Sequence, residues 1–306
     1  TSLKIWGKIR LKGISVNLMP TLQKQLQYGS KIYLSGLVGF LFEPLSKILI
    51  STFIGVHIVA VFEIGLKIRT QISSILMKAF YPVFPVISAM NEGLKLNELI
   101  KDFSKKIQLL VIPIIISVLF VMPYLLMLWL GMDNIQQITL FVVTLTASFL
   151  ALSPVVLPAY NYFAAKNMAE INVWAQLSSV IVNVLVFLGT YKFIDMYAIL
   201  LSNTAGYFAS FSVLKYNQIK YSGNPIDWYY VRKLAILFLF VFLPCVCFSY
   251  LDINEMFRAV LSILTVILFF ILGIRFLNIL TKDDIIRYFG TIPFLERVFL
   301  KILITG

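Results

Sequence analysis

The sequence predicts an all-α, polytopic membrane protein with about eight transmembrane helices. Composition is the first observation behind this: hydrophobic residues make up 60% of the chain and charged residues only 13%, outside the range of soluble domains. The second is the recurrence of apolar runs long enough to cross a bilayer, separated by short polar connections. The third is that lysine and arginine gather at one set of connections and span ends, twenty of them against Lys192 and Arg258 on the other side. This asymmetry places both ends of the chain in the cytoplasm and accounts for the net charge of +12 without nucleic acid.

Residues 1–30 carry Lys4, Lys8, Arg10, Lys12 and Lys24 and no acidic residue, a basic segment ahead of a first span over roughly 32–55. The chain starts at Thr1 without a signal-like segment, and reads as a fragment or a truncated reading frame. A second span starts near Ile58, and Tyr81, Pro82 and Pro85 predict a kink or an interfacial exit at its end. Residues 91–106 read as a separate short amphipathic cytoplasmic helix. The third span (107–130) contains Pro113 and Pro123, the fourth (138–163) Pro154 and Pro158; these are hinges or static kinks. The fifth span (171–191) aligns Asn172, Gln176, Ser179 and Asn183 on one face, which lines a cavity or hydrogen-bonds a neighbouring helix. The sixth (196–216) carries Ser202, Gly206 and Ser210 at four-residue intervals, a face suited to close helix packing. A polar connection at 217–233 precedes two nearly uncharged spans over 234–279, and 280–306 reads as an interfacial tail.

The stretch from Phe42 to Pro85 is the unusual one. It is apolar enough for a bilayer yet holds Glu43, Lys47, Glu63, Lys67, Arg69 and Lys78. A lone charge at the middle of a membrane helix costs roughly 2.5 to 3.5 kcal/mol, so these groups must face protein, water or a ligand. Glu43 and Lys47 are four apart, as are Glu63 and Lys67, so each pair can neutralise itself on one helix face. Glu63, Lys67, Gln71, Ser74 and Lys78 fall in a narrow stripe. The stripe either seals a bundle by ion pairs or lines a water-filled cavity, and four cations against two anions leave a positive excess that suits an anionic ligand.

Little else in the chain suggests chemistry. Cys245 and Cys247 are two apart, point to different faces and have no neighbouring metal ligand. His57 falls at a helix boundary without a partner in sequence. The sequence has no phosphate-cradling loop, zinc spacing or nucleophile motif, and its outward loops are short, so an enzyme is not expected.

The runs FEPLSKILISTFIG, VAVFEIGLKIRTQISSIL and AFYPVFPVIS resemble polysaccharide exporters of the multidrug, oligosaccharidyl-lipid and polysaccharide exporter superfamily, especially O-antigen flippases. The resemblance implies a six-helix C-terminal transporter lobe (31–216) and a cytoplasmic loop (217–233), followed by two trailing helices (234–279) and the tail. It further implies alternating-access translocation of an undecaprenyl-pyrophosphate-linked oligosaccharide across the bacterial inner membrane. Lys47, Lys67, Arg69 and Lys78, with Asn172, Gln176 and Asn183, would bind substrate, while Glu43 and Glu63 would pair with the cations or respond to a coupling ion. Arg69 sits about 120° from Glu63 around the helix, outside the stripe. No cofactor is implied, but a proton or sodium gradient could drive the cycle. The implied partners are the lipid-linked oligosaccharide, membrane lipids, the absent N-terminal lobe, and polymerase or other polysaccharide-assembly proteins. A drug or metabolite antiporter of the same superfamily and a membrane enzyme of polysaccharide assembly are the alternatives.

Overall fold

Alternating apolar runs and short polar breaks leave the chain little choice but helices in a bilayer, where every backbone amide must be satisfied within its own segment. The computed structural model describes residues 18–80, 83–90, 94–131, 135–223, 227–250 and 254–280. Among these residues there is no strand, and there are nine helices: α1 (Leu18–Phe53), α2 (Val56–Phe80), α3 (Val83–Ala89), α4 (Leu94–Leu130), α5 (Gln136–Ala165), α6 (Ala169–Ile194), α7 (Tyr197–Ser222), α8 (Trp228–Ser249) and α9 (Glu255–Phe276).

Eight of the nine are long, matching the eight expected spans. Six are both long and apolar enough to cross a membrane: α1, α4, α5, α6, α8 and α9. The other two, α2 and α7, have 25 and 26 residues. At 1.5 Å per residue that is about 38 Å, ample for a hydrocarbon core of about 30 Å. Their polar and charged side chains keep them below the apolarity of the other six. The protein is a helical, multi-pass membrane protein.

Two local expectations change, and a third, the break at the end of the second span, is met. The amphipathic segment before the third span is not a separate helix; from Leu94 it forms the first turns of the 37-residue α4, which runs on through Pro113 and Pro123. A proline removes one hydrogen bond and kinks a helix without having to end it when neighbours support the backbone. The connection expected over 217–233 shrinks to 223–227. Gly223 closes α7 in a left-handed conformation (φ 64°), and Asp227 caps α8 by accepting from the Tyr230 amide at 3.1 Å. The second span ends at Phe80, before Tyr81 and Pro82, and a short α3 follows. The first part of the basic segment (1–17) and the interfacial tail from 281 onward lie outside the described residues.

α5 is the hub of the bundle, packing against α2, α3, α4, α6 and α7, while α1 packs on α6 and α2. α6 and α7 approach backbone to backbone: a Cβ built on Gly206 would meet the Ser179 carbonyl oxygen at 2.8 Å. The Ser202, Gly206, Ser210 face is thus a packing face. α8 and α9 pack on each other and on α4, around Ile116, Leu237, Val241 and Val266. Large apolar side chains such as Phe40, Leu128, Leu185 and Leu243 are exposed, as the lipid-facing surface of such a bundle requires.

The starts of α1, α4, α6 and α8 and the ends of α5 and α9 meet at one end of the bundle. There the Tyr28 hydroxyl donates to the Ala164 carbonyl at 2.8 Å, and Lys31 pairs with Glu170 at 3.0 Å. Lys101 pairs with Asp227 at 3.6 Å, and Lys233 donates to the Asn278 carbonyl at 3.3 Å. This is the basic end.

Candidate functional site

The charges of α1 and α2 pair across the two helices and not along each one. Lys47 Nζ lies 2.5 Å from Glu63 Oε1, and Arg69 Nη2 lies 2.5 Å from Glu43 Oε1. The reason is the antiparallel register. Lys47 and Glu63 stand eight residues either side of Gly55, at the turn, and Glu43 and Arg69 stand twelve before and fourteen after it. Residues at about equal distances from a tight helical turn face each other, so the facing partner displaces the one four positions along the same helix. The expectation of two self-neutralising pairs, Glu43 with Lys47 and Glu63 with Lys67, is corrected accordingly.

Arg69, which helical spacing sets outside the Glu63 stripe, is the buried centre of this group at 9% exposure. Besides Glu43 it donates from Nη1 to the Tyr207 hydroxyl. Its guanidinium carbon lies 5.8 Å from the centroid of Phe149 and 5.6 Å from that of Tyr207, so two aromatic faces flank the cation. Phe42 in turn stacks on Tyr207 at 5.4 Å. Beside Glu43 and Arg69 is a cavity of about 170 Å³, its polar lining completed by Ser153, Gln176, Ser179, Tyr207 and Ser210. The cavity therefore has contributions from α1, α2, α5, α6 and α7.

The polar face of α6 divides. Gln176 reaches the cavity, with its side chain against Gly39. Asn172 donates to the Tyr160 carbonyl at 3.0 Å, and Asn183 donates to Ser46 Oγ at 2.9 Å; both are buried and tie α6 to α5 and α1. Both readings of that face hold, each for different residues.

Lys67 and Lys78 lie elsewhere. They are exposed on α2, on the same outward face as Gln71 and Ile75, and do not line the cavity. With Lys47 and Arg69 each matched to a carboxylate, the positive excess of the hairpin sits on this outer face. Sequence reasoning missed Tyr207 and Phe149. A signal for Tyr207 was present in α7, where Asn203, Tyr207 and Ser210 follow at helical spacing. Among the described residues no cluster of histidine, cysteine, aspartate or glutamate has the composition of a metal site.

The fold and its ion-paired interior define a class, the polytopic helical membrane proteins with a polar interior site. Residues 14–135 match the family described as polysaccharide biosynthesis protein, a stretch that includes the charged hairpin and α4. The match bears out the resemblance carried by residues 42–85. No curated protein and no solved structure matches the chain.

Proposed function

We propose that this chain is the C-terminal lobe, with two trailing helices, of a flippase that moves a lipid-linked oligosaccharide across the bacterial cytoplasmic membrane. The observation that carries the reading is the outward stripe of α2. Lys67, Gln71 and Lys78 are exposed on a helix of spanning length, within the stretch that matches the polysaccharide biosynthesis family. Cations facing acyl chains at that depth would strain insertion, so the stripe calls for a hydrated, anion-bearing neighbour. A chamber between this lobe and an N-terminal one, open to a pyrophosphate group, supplies it. On this reading the basic end of the bundle is cytoplasmic, Lys67 and Lys78 attract the pyrophosphate, and the paired Arg69 and Lys47 hold the hairpin in shape. Transport would be driven by a proton or sodium gradient, with Glu43 and Glu63 the residues to respond. The chain has no part in making or breaking sugar bonds.

The test is K67Q/K78Q in the full-length protein, in its native cell. Surface polysaccharide should stop while lipid-linked units accumulate on the inner leaflet. Normal export in a well-expressed variant would refute the reading. Units reaching the outer leaflet unpolymerised would favour an assembly enzyme in its place.

A further inference from the structure

A second cavity stands apart from the paired charges. It is a cleft of about 770 Å³ between α4, α5, α7 and α8 that shares only Leu152 with the Arg69 cavity. Its mouth lies at the basic end and holds Lys101, Lys105, Lys215, Gln218 and Asp227. Asp227 pairs with Lys101 at 3.6 Å, Lys105 Nζ sits 4.9 Å from the Tyr230 ring centroid, and Lys215 donates to Gln218 Oε1 at 3.3 Å. Among the described residues that line it, three lysines stand against one aspartate. The wall beyond is apolar, with Ile115, Val155, Phe211 and Phe238.

The dimensions decide what fits. Lys101 and Ile115 are fourteen residues apart on α4, about 21 Å along the helix, and Tyr230 and Phe238 are separated by about 12 Å along α8. One leaflet of hydrocarbon is about 15 Å thick, half the core of a bilayer. A cationic mouth at the interface above an apolar wall one leaflet deep matches a molecule with an anionic head and a long tail. Trp228 and Tyr229, both exposed beside the mouth, belong to the residue types that sit at headgroup level.

We propose that this cleft binds one anionic phospholipid of the surrounding bilayer, its phosphate at Lys101, Lys105 and Lys215 and an acyl chain along the α5 and α8 wall. The bilayer is the source because the cleft has the depth of a single leaflet and is lined by different residues from the paired-charge cavity.

The test uses the full-length protein in nanodiscs with spin-labelled phosphatidylglycerol and phosphatidylcholine. The wild type should bind phosphatidylglycerol with a clear preference, and K101Q/K105Q/K215Q should bring it towards parity, losing up to ~5-fold per lysine. A235W, which fills the wall and leaves the lysines intact, should reduce bound phosphatidylglycerol even where the triple variant expresses poorly. Inorganic phosphate should fail to displace the lipid. The proposal is overturned by equal binding of the two lipids to the wild type, by an unchanged preference in the triple variant, or by an unaffected A235W. Displacement by inorganic phosphate would reduce the cleft to an ion site, and far stronger displacement by a polyprenyl phosphate would make it part of the substrate path. Either result overturns the assignment to bulk phospholipid.

Discussion

Removing Glu43 should cost more stability than removing Arg69, although each change breaks the same ion pair. The Arg69 side chain is 11% exposed and that of Glu43 39%. In E43Q the group left behind is a buried guanidinium without a matching charge, which keeps the substituted amide oxygen, the Tyr207 oxygen and two aromatic faces. Stranding a buried charge costs 3–5 kcal/mol where the site is dry, and the neighbouring cavity and the remaining contacts reduce this to about 2–3 kcal/mol here. In R69M the group left behind is a carboxylate that can turn towards the cavity and hydrate. The methionine keeps the contacts with Phe149 and Tyr207, so the loss should be about 1 kcal/mol. The double variant E43Q/R69M should then be more stable than E43Q alone, by at least about 1 kcal/mol. Reversible unfolding of the four proteins in mixed micelles of increasing denaturing detergent measures the cycle. Equal losses for the two single variants, or additive losses in the double, would refute an ordering based on which charge is stranded.

Other expectations follow from the same geometry. K47M should cost less than about 1 kcal/mol by the same unfolding measurement, because the side chains of Lys47 and Glu63 are 32% and 37% exposed and both charges can hydrate. G206A should destabilise by roughly 1–3 kcal/mol, since its Cβ has no room at the Ser179 carbonyl; a variant as stable as the wild type would mean that α6 and α7 can part at little cost. K67C, in a background with Cys245 and Cys247 replaced, should react with a membrane-impermeant thiol reagent in the full-length protein. L185C on the lipid-facing side of α6 should not. In an in vitro membrane-insertion assay, residues 56–80 alone should insert poorly and residues 18–80 efficiently, because only the hairpin neutralises Glu63 and Arg69.

The helices were legible because membrane depth leaves hydropathy and length as nearly sufficient signals. The eight long helices fall where the apolar runs do, and Gly223 marks the end of α7. The partners of the charges were not legible to the same degree. The four-residue rule is a statement about one helix, and α1 and α2 are two. Their facing residues are set by the turn at Gly55, which sequence spacing by itself does not weigh against a local pair. Arg69 was underrated for a related reason. Measured around its own helix it departs from the Glu63 stripe, yet that departure is what carries it inward to Glu43 and Tyr207 while Lys67 and Lys78 stay outside. The α6 face was read correctly as polar, but whether a given residue meets a cavity or a backbone carbonyl depends on what α1 and α5 place opposite it. Gly39 leaves room for Gln176, and Ser46 meets Asn183.

The crossed pairing also explains why α2 has spanning length without passing a test of apolarity. Judged alone, a helix with Glu63, Lys67, Arg69 and Lys78 is too polar for a bilayer, since each unpaired charge costs a few kcal/mol at depth. Judged with α1, two of those charges are already matched, so the unit that must be stable in the membrane is the hairpin. Pairing within each helix would have left both helices independently neutral near the turn, with Arg69 and Lys78 still unmatched. Pairing across them instead buries the arginine among aromatic rings and commits α1 and α2 to one register. The two cations left over are both on the outward face of α2, where no ion pair to either is seen among the described residues. Lys78, in the last turn, is favoured there by the helix dipole, whereas Lys67 at mid-helix has no such support, and on the reading proposed above its complement lies beyond this bundle.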